Sequence, residues 1–231
     1  MKSIKKSTRE DGEETKARLI ECAGRLIADQ GFDRTTSKDI CRLAGTNLAA
    51  VNYHFGSREG LYKAVLDEVY HYVISPVEID TIYHRNIPPR DKLMELLDLY
   101  VKEALFSESW QVKVSIRELI NPSAIFSSFA ESCIGRKLTP VLDMLSAYLG
   151  IPADDPRVPR AFLTALSPFL IFLLSGHRQM GLVMYGLSRQ DKEQKMEEAD
   201  MLKEFVFAGL DRLKEKWRGK RIEVGGLRIE I

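Results

Sequence analysis

From Glu14 to about Arg218 apolar side chains return every three or four residues, and only the last dozen residues alternate. A chain with that period hides its apolar stripes by packing amphipathic helices on one another, so the expected fold class is all-α. Its 231 residues, 45% apolar and 29% charged, suffice for one or two domains with a hydrophobic core and exclude wholesale disorder. Cys22, Cys41 and Cys133 are far apart and lack a C-x-x-C spacing, which fits a reducing compartment and no zinc site. Met1–Arg9 is polar and basic with no apolar core, so no secretion signal is expected. The most apolar stretch, Ala161–Ser175, contains Pro168 and falls short of the about 20 residues of a membrane helix. The expected setting is the cytoplasm.

Along the chain, Ala17, Ile20, Ala23, Gly24 and Ile27 form the stripe of a first helix ending at Gly31. Thr36 is placed to cap a second, short helix, with Asp39 at the reciprocal capping position; Ile40 and Leu43 are expected to face inward. The helix stops at Ala44-Gly45, and Asn47 or Thr46 caps a third, Leu48–His54. A fourth starts at Ser57 and runs to about Val73. His84–Arg90, with Pro88 and Pro89, reads as a loop. Helical patterns then cover about Asp91–Ser107, Gln111–Ile120, Ser123–Leu149, Pro156–Ser175 and Met196–Trp217, with Leu187–Lys195 a polar connector. Around Gly225-Gly226, alternation predicts a short β-hairpin pairing Val224 with Leu227, Glu223 with Arg228, Ile222 with Ile229 and Arg221 with Glu230.

Two short helices joined at Gly45 between longer ones make a helix-turn-helix unit, whose second helix enters the DNA major groove. In the third helix Leu48, Val51 and Phe55 share one side, giving a stripe that can dock on the first two helices; Leu48 equally suits a thymine methyl. The other side offers Ala49, Asn52 and Tyr53, with Asn47, Ala50 and His54 nearby. Small residues permit close approach to base edges, and Asn can bond adenine bidentately. Tyr53, His54, Thr36 and Arg58, with Ser37 and Lys38 in the second helix's first turn, are candidate phosphate contacts. No Lys or Arg lies in Leu48–Phe55, so some dependence on DNA shape is expected. Charge adds little: residues 1–64 carry Lys+Arg 12 against Asp+Glu 9, a net +3, and the remainder is −2.

The segments Thr15–Gly31 (TKARLIECAGRLIADQG), Thr35–Gly45 (TTSKDICRLAG) and His54–Leu61 (HFGSREGL), in that order and spacing, resemble the TetR family of one-component transcriptional regulators. Asn47–Ser57 (NLAAVNYHFGS), with Arg117-Glu118-Leu119 before Pro122, is similar to the branch with a CerR-type C-terminal domain. The resemblance implies a homodimer, an all-helical ligand-binding domain, and DNA contacts from Thr36, Ala49, Asn52, Tyr53, His54 and Arg58. Leu48 and Asn52 depart from the residues many relatives carry there, so base preference is not carried over.

The expected organisation is a flexible basic arm at 1–12 and a DNA-binding domain at 13–73, with the helix-turn-helix at 36–55. A helical effector-binding and dimerisation domain follows at 74–218, and a hairpin tail at 219–231. The helix Arg160–Ser175 is apolar nearly all round, and the last helix offers Leu202, Phe205, Val206, Leu210 and Leu213. These two long helices are the expected dimer interface, and two-fold symmetry implies a pseudo-palindromic operator. Trp110, Arg117, Phe126, Phe129, Phe169, Phe172, His177 and Met180 are candidates to line an effector pocket. No phosphate loop, metal-ligand spacing or nucleophile–base set is present, so neither cofactor nor metal is expected and the chain does not read as an enzyme. The reading is a homodimeric repressor that leaves double-stranded operator DNA when a small-molecule effector binds.

Overall fold

The computed structural model describes residues 3–72, 74–106, 109–176, 192–218, 223–224 and 227–228. Four helices open the chain: α1 (Ser3–Gln30), α2 (Ser37–Ala44), α3 (Leu48–Phe55) and α4 (Arg58–Tyr72). Next come α5 (Pro76–Tyr83), α6 (Pro89–Phe106), α7 (Trp110–Ile120), α8 (Ala124–Leu149), α9 (Arg157–Gly176) and α10 (Lys192–Arg218). Among the described residues the fold is all-α apart from β1 (Glu223–Val224) and β2 (Leu227–Arg228). These two pair antiparallel with Glu223 opposite Arg228 and Val224 opposite Leu227, the register the alternation predicts. The two outer expected pairs lie outside the described residues.

The chain divides into two compact units: residues 1–75 with 107–135, and 76–106 with 136–231. The division expected after residue 73 therefore misplaces α7 and the first part of α8, which pack with the N-terminal helices. The reason lies in α7 itself. Trp110, Val112, Val114, Ile116 and Glu118 are all buried, and α7 lies against α1 and α4. Trp110 sits on Gly24, where a Cβ would come within 2.4 Å of the indole ring, and its Nε1–H donates to Glu21 at 2.6 Å. The core of this first unit gathers Leu19, Ala23 and Ile27 of α1, Ile40 and Ala44 of α2, Val51 of α3, and Leu61, Tyr62, Val65 and Leu66 of α4.

Three local expectations change. Residues 3–12, expected as a flexible arm, continue α1 as helix; they contain no proline, and the single Gly12 is tolerated inside a helix. Leu43 is 55% exposed and Leu48 52% exposed, so the inward stripes are Ile40-Cys41-Ala44 and Val51, with Ala50 and Phe55 half-buried. Finally, α5 lies outside the helical patterns of the sequence: Ile79 and Ile82 are its only buried residues, too short a period to stand out. Elsewhere α6 opens at Pro89, where a missing N–H costs nothing. Both α8 and α9 run as continuous helices through Pro140 and Pro168.

The second unit has its own core. Leu145, Tyr148 and Leu149 of α8, Val158, Ala161 and Phe169 of α9, and Ala199, Val206, Phe207 and Leu210 of α10 close on Val101 of α6. Lys203 ties α10 to α6 through Asp98 at 2.8 Å, while also meeting Asp200 at 2.6 Å. Tyr148 donates to Asp211 at 2.5 Å. Val206 and Leu210, expected to cover a second subunit, are used within the chain. Leu163 on α9 and Met201 and Phe205 on α10 remain 63%, 61% and 70% exposed. No helix among the described residues is long and apolar enough to cross a membrane.

Candidate nucleic-acid interface

The two short helices are held by their ends. Thr36 caps α2: its Oγ1 accepts from the Asp39 N–H at 3.2 Å and donates to the Asp39 carboxylate at 2.6 Å. That hydroxyl contact, with Arg42 at 2.8 Å on the other oxygen, holds the Asp39 carboxyl below its usual range. At the far end Gly45 has φ +64°, a left-handed conformation that costs glycine nothing. The Thr46 N–H reaches back to Cys41 O at 2.9 Å and the Gly45 N–H to Arg42 O, closing the last turn and reversing the chain. Of the two cap candidates for α3 it is Asn47 that serves, its side chain accepting from the Ala50 N–H at 3.2 Å. Ser57 accepts from the Gly60 N–H at 3.0 Å at the start of α4.

Val51 alone of α3 is fully buried, and it pins the helix to the core. The outer face then presents Ala49, Asn52 and Tyr53 to solvent beside Leu48 and the capping Asn47. Tyr53 is 85% exposed, the extreme among the large apolar and aromatic side chains of the described residues. His54 is half-buried and stands edge-on to Tyr53, ring centroids 4.9 Å apart. At the start of α2, exposed Thr36 and Lys38 and half-buried Ser37 surround the free N–H groups of the first turn. Asn52 and the small Ala49 are thus free for base edges, while Thr36, Lys38 and Tyr53 lie on exposed surface suited to phosphate oxygens.

Arg58 is placed differently from its expected role. Its guanidinium stacks 4.2 Å over the Phe32 ring and donates to Thr35 O at 2.9 Å, with Phe32 O at 3.5 Å. It therefore closes the turn between α1 and α2 rather than reaching outward. The expected effector-pocket set also divides. Trp110, Arg117, Phe126 and Phe129 belong to the first unit, and Phe169 to the core of the second. Arg117 donates to Ala28 O at 2.8 Å and Asp29 O at 2.5 Å, so it caps the end of α1. His177, Met180 and the side chain of Phe172 lie outside the described residues. Among the described residues no group of His, Cys, Asp or Glu is arranged to hold a metal ion.

These features define a helix-turn-helix DNA-binding unit attached to a helical second unit. Residues 19–65 match the family model described as bacterial regulatory proteins, tetR family. Over these residues the chain is similar to the DNA-binding domain of TetR-family transcriptional regulators. It is 27% identical over 157 residues to the HTH-type transcriptional dual regulator CecR of Shigella flexneri, covering 64% of this chain and 70% of that protein. It is 40% identical over 63 residues to the HTH-type transcriptional regulator TtgR of Pseudomonas putida, covering 27% of this chain and 30% of that one. Among solved structures, NalD, the secondary repressor of the MexAB-OprM multidrug efflux pump in Pseudomonas aeruginosa, superposes with a TM-score of 0.58 at 20% identity. That superposition covers 87% of this chain and 97% of NalD and speaks to the fold.

Proposed function

We propose that the protein is a cytoplasmic homodimeric repressor that binds a pseudo-palindromic operator and releases it when a small effector binds the second unit. The observation that carries the DNA-reading part is the outer face of α3. A helix capped at its start and pinned by Val51 leaves Ala49, Asn52 and Tyr53 uncovered. Nothing in the packing of the chain itself requires an 85% exposed Tyr53, whereas a duplex would cover it. In this reading Asn52 contacts a base edge, Ala49 lets the helix sit deep in the groove, and Tyr53 and His54 hold phosphates with Asn47 at the helix start. Thr36, Ser37 and Lys38 hold a further phosphate at the start of α2. The Thr36 hydroxyl proton, engaged by Asp39 in the free protein, would swing to the phosphate on binding.

Dimerisation through α9 and α10 is favoured by Leu163, Met201 and Phe205, three large apolar side chains that a monomer leaves in water. A two-fold pair of this kind presents two copies of α3 to successive major grooves. Release by an effector would be a population shift toward a pair whose separation no longer fits one helical turn of DNA. Repression is the sign proposed, while the likeness to CecR, a dual regulator, makes activation at other promoters an outcome to look for.

The test is a titration of the purified chain on duplexes selected from random sequence, repeated at several salt concentrations. Expected is saturable binding by a dimer, with an affinity that falls steeply as salt rises and drops at least tenfold in Tyr53→Ala. Binding by a monomer, or affinity indifferent to Tyr53→Ala and Asn52→Ala, would overturn the reading.

A further inference from the structure

The turn between α1 and α2, residues 31–36, delivers Thr36 to its place and is gripped from two sides by different helices. From α4, Arg58 donates to Thr35 O and stacks on Phe32. On its other face the Phe32 ring lies parallel to Tyr62, centroids 4.5 Å apart at 15°. The Tyr62 hydroxyl donates to the carboxylate of Glu118, which is 5% exposed and on α7. The second oxygen of Glu118 accepts from the Ser123 N–H at 2.7 Å, so the carboxylate is fixed by backbone at the α7–α8 junction. The neighbouring Arg117 donates to Ala28 O and Asp29 O, the carbonyls just before the turn, and lies 3.4 Å from where a Cβ on Gly31 would stand. Two adjacent residues of α7 thus reach the turn by separate routes, one through the backbone of α1 and one through the Glu118–Tyr62–Phe32–Arg58 stack. A hydrogen-bonded and stacked chain of packed side chains of this kind couples the position of α7 to that of the turn.

We propose that Arg117 and Glu118 are positioning residues for DNA binding: from α7 they set the α1–α2 turn, and through it the orientation of Thr36 and the first turn of α2 toward a phosphate. This rests on the phosphate-contact reading of Thr36 above. It also gives α7 a role other than lining an effector pocket, since α7 is the element through which a shift entering the first unit would loosen its grip on DNA.

A double-mutant cycle separates positioning from mere support of the fold. The probe is the duplex selected by the wild-type chain, and far-UV circular dichroism monitors folding of each variant. Arg117→Ala is expected to weaken binding about tenfold, and Arg117→Lys, whose ammonium can still donate to one carbonyl, to recover most of that loss. In a Thr36→Ala background, Arg117→Ala should cost less than threefold further, because the contact it orients is already gone. Where Arg117→Ala loses its helical signal, Tyr62→Phe, which removes one oxygen and keeps the ring stack, replaces it in the same cycle with the same expectation. Equal losses in both backgrounds would overturn the proposal, as would no loss in either. A Thr36→Ala variant that binds like wild type would instead overturn the phosphate contact, and the positioning role would fall with it.

Discussion

The docking of α7 on α1 turns on one glycine, and Gly24→Ala measures it. An alanine Cβ at that position would stand 2.4, 2.5 and 2.5 Å from Cε3, Cδ2 and Cζ3 of Trp110. Ordinary carbon–carbon contacts lie at about 3.5–4.0 Å, so helix and ring must separate by about 1 Å. The ring has nowhere to go: Trp110 is 8% exposed and its N–H is held by Glu21 at 2.6 Å. Overpacking of this kind costs about 1–3 kcal/mol, against which alanine's better helix propensity returns about 1 kcal/mol. Gly135→Ala in α8 isolates the second effect, because nothing stands within 4 Å of its Cβ position. Urea unfolding followed by circular dichroism should therefore show Gly135→Ala more stable than wild type by up to about 1 kcal/mol. Gly24→Ala should fall below Gly135→Ala by about 1–3 kcal/mol. Trp110→Leu should remove most of that difference when combined with Gly24→Ala, although alone it destabilises. If Gly24→Ala stabilised the protein as much as Gly135→Ala does, the contact and the division of the chain built on it would be wrong.

Other outcomes follow from single side chains. Tyr53→Ala should change the urea midpoint by no more than about 0.5 kcal/mol, given its exposure, while weakening duplex binding at least tenfold; a stability loss without a binding loss contradicts its role. Asn47→Ala removes the cap of α3 and should cost about 1 kcal/mol in the same unfolding assay, with no change expected if the helix start were held otherwise. Phe205→Glu, at a 70% exposed position, should leave helical content intact and shift sedimentation toward the monomer; a retained dimer would move the interface off α10. Hydrogen bonds from Arg157, followed by its charge, hold the Asp155 carboxyl at about 2, below the ordinary 3.8. A lowered folded pKa gives stability that is present above the ordinary value and is lost as the pH falls from 3.8 toward about 2. Asp155→Asn should flatten the acid limb of stability across that window, and an unchanged limb would rule the pair out as its cause.

Local chemistry makes the reading domain legible. Thr36, Gly45 and Asn47 act through their own backbone neighbours, so their spacing alone marks where α2 and α3 begin and turn. The hairpin register is readable for the same reason, since alternation and a two-residue turn are nearest-neighbour properties. What periodicity does not tell is which of two apolar stripes a short helix buries. Leu43 and Leu48 share eight-residue helices with Ile40 and Val51, and with barely two turns each a face is chosen by tertiary packing. The same limit hides the partners of α7. Trp110 and Arg117 look like pocket residues because bulk and charge suit a ligand, yet their partners, Gly24 and the carbonyls of Ala28 and Asp29, stand more than 80 residues away in sequence. A buried glycine on an apolar stripe is the one hint, and only a contact across that distance gives it meaning. Arg58 shows a further limit, because a motif position fixes a residue type while the neighbouring Phe32 ring decides where the guanidinium lies.

The claim that the outer face of α3 reads DNA is tested most directly by selecting bound duplexes from random sequence with the wild-type chain and with Asn52→Ala in parallel. The wild type should enrich a sequence of two half-sites related by a two-fold axis, about 10 base pairs or a multiple apart. Asn52→Ala should relax the preference at one symmetric pair of positions and leave the rest of the site as it was. Identical preferences from the two chains, or no enriched sequence from the wild type, would contradict the account.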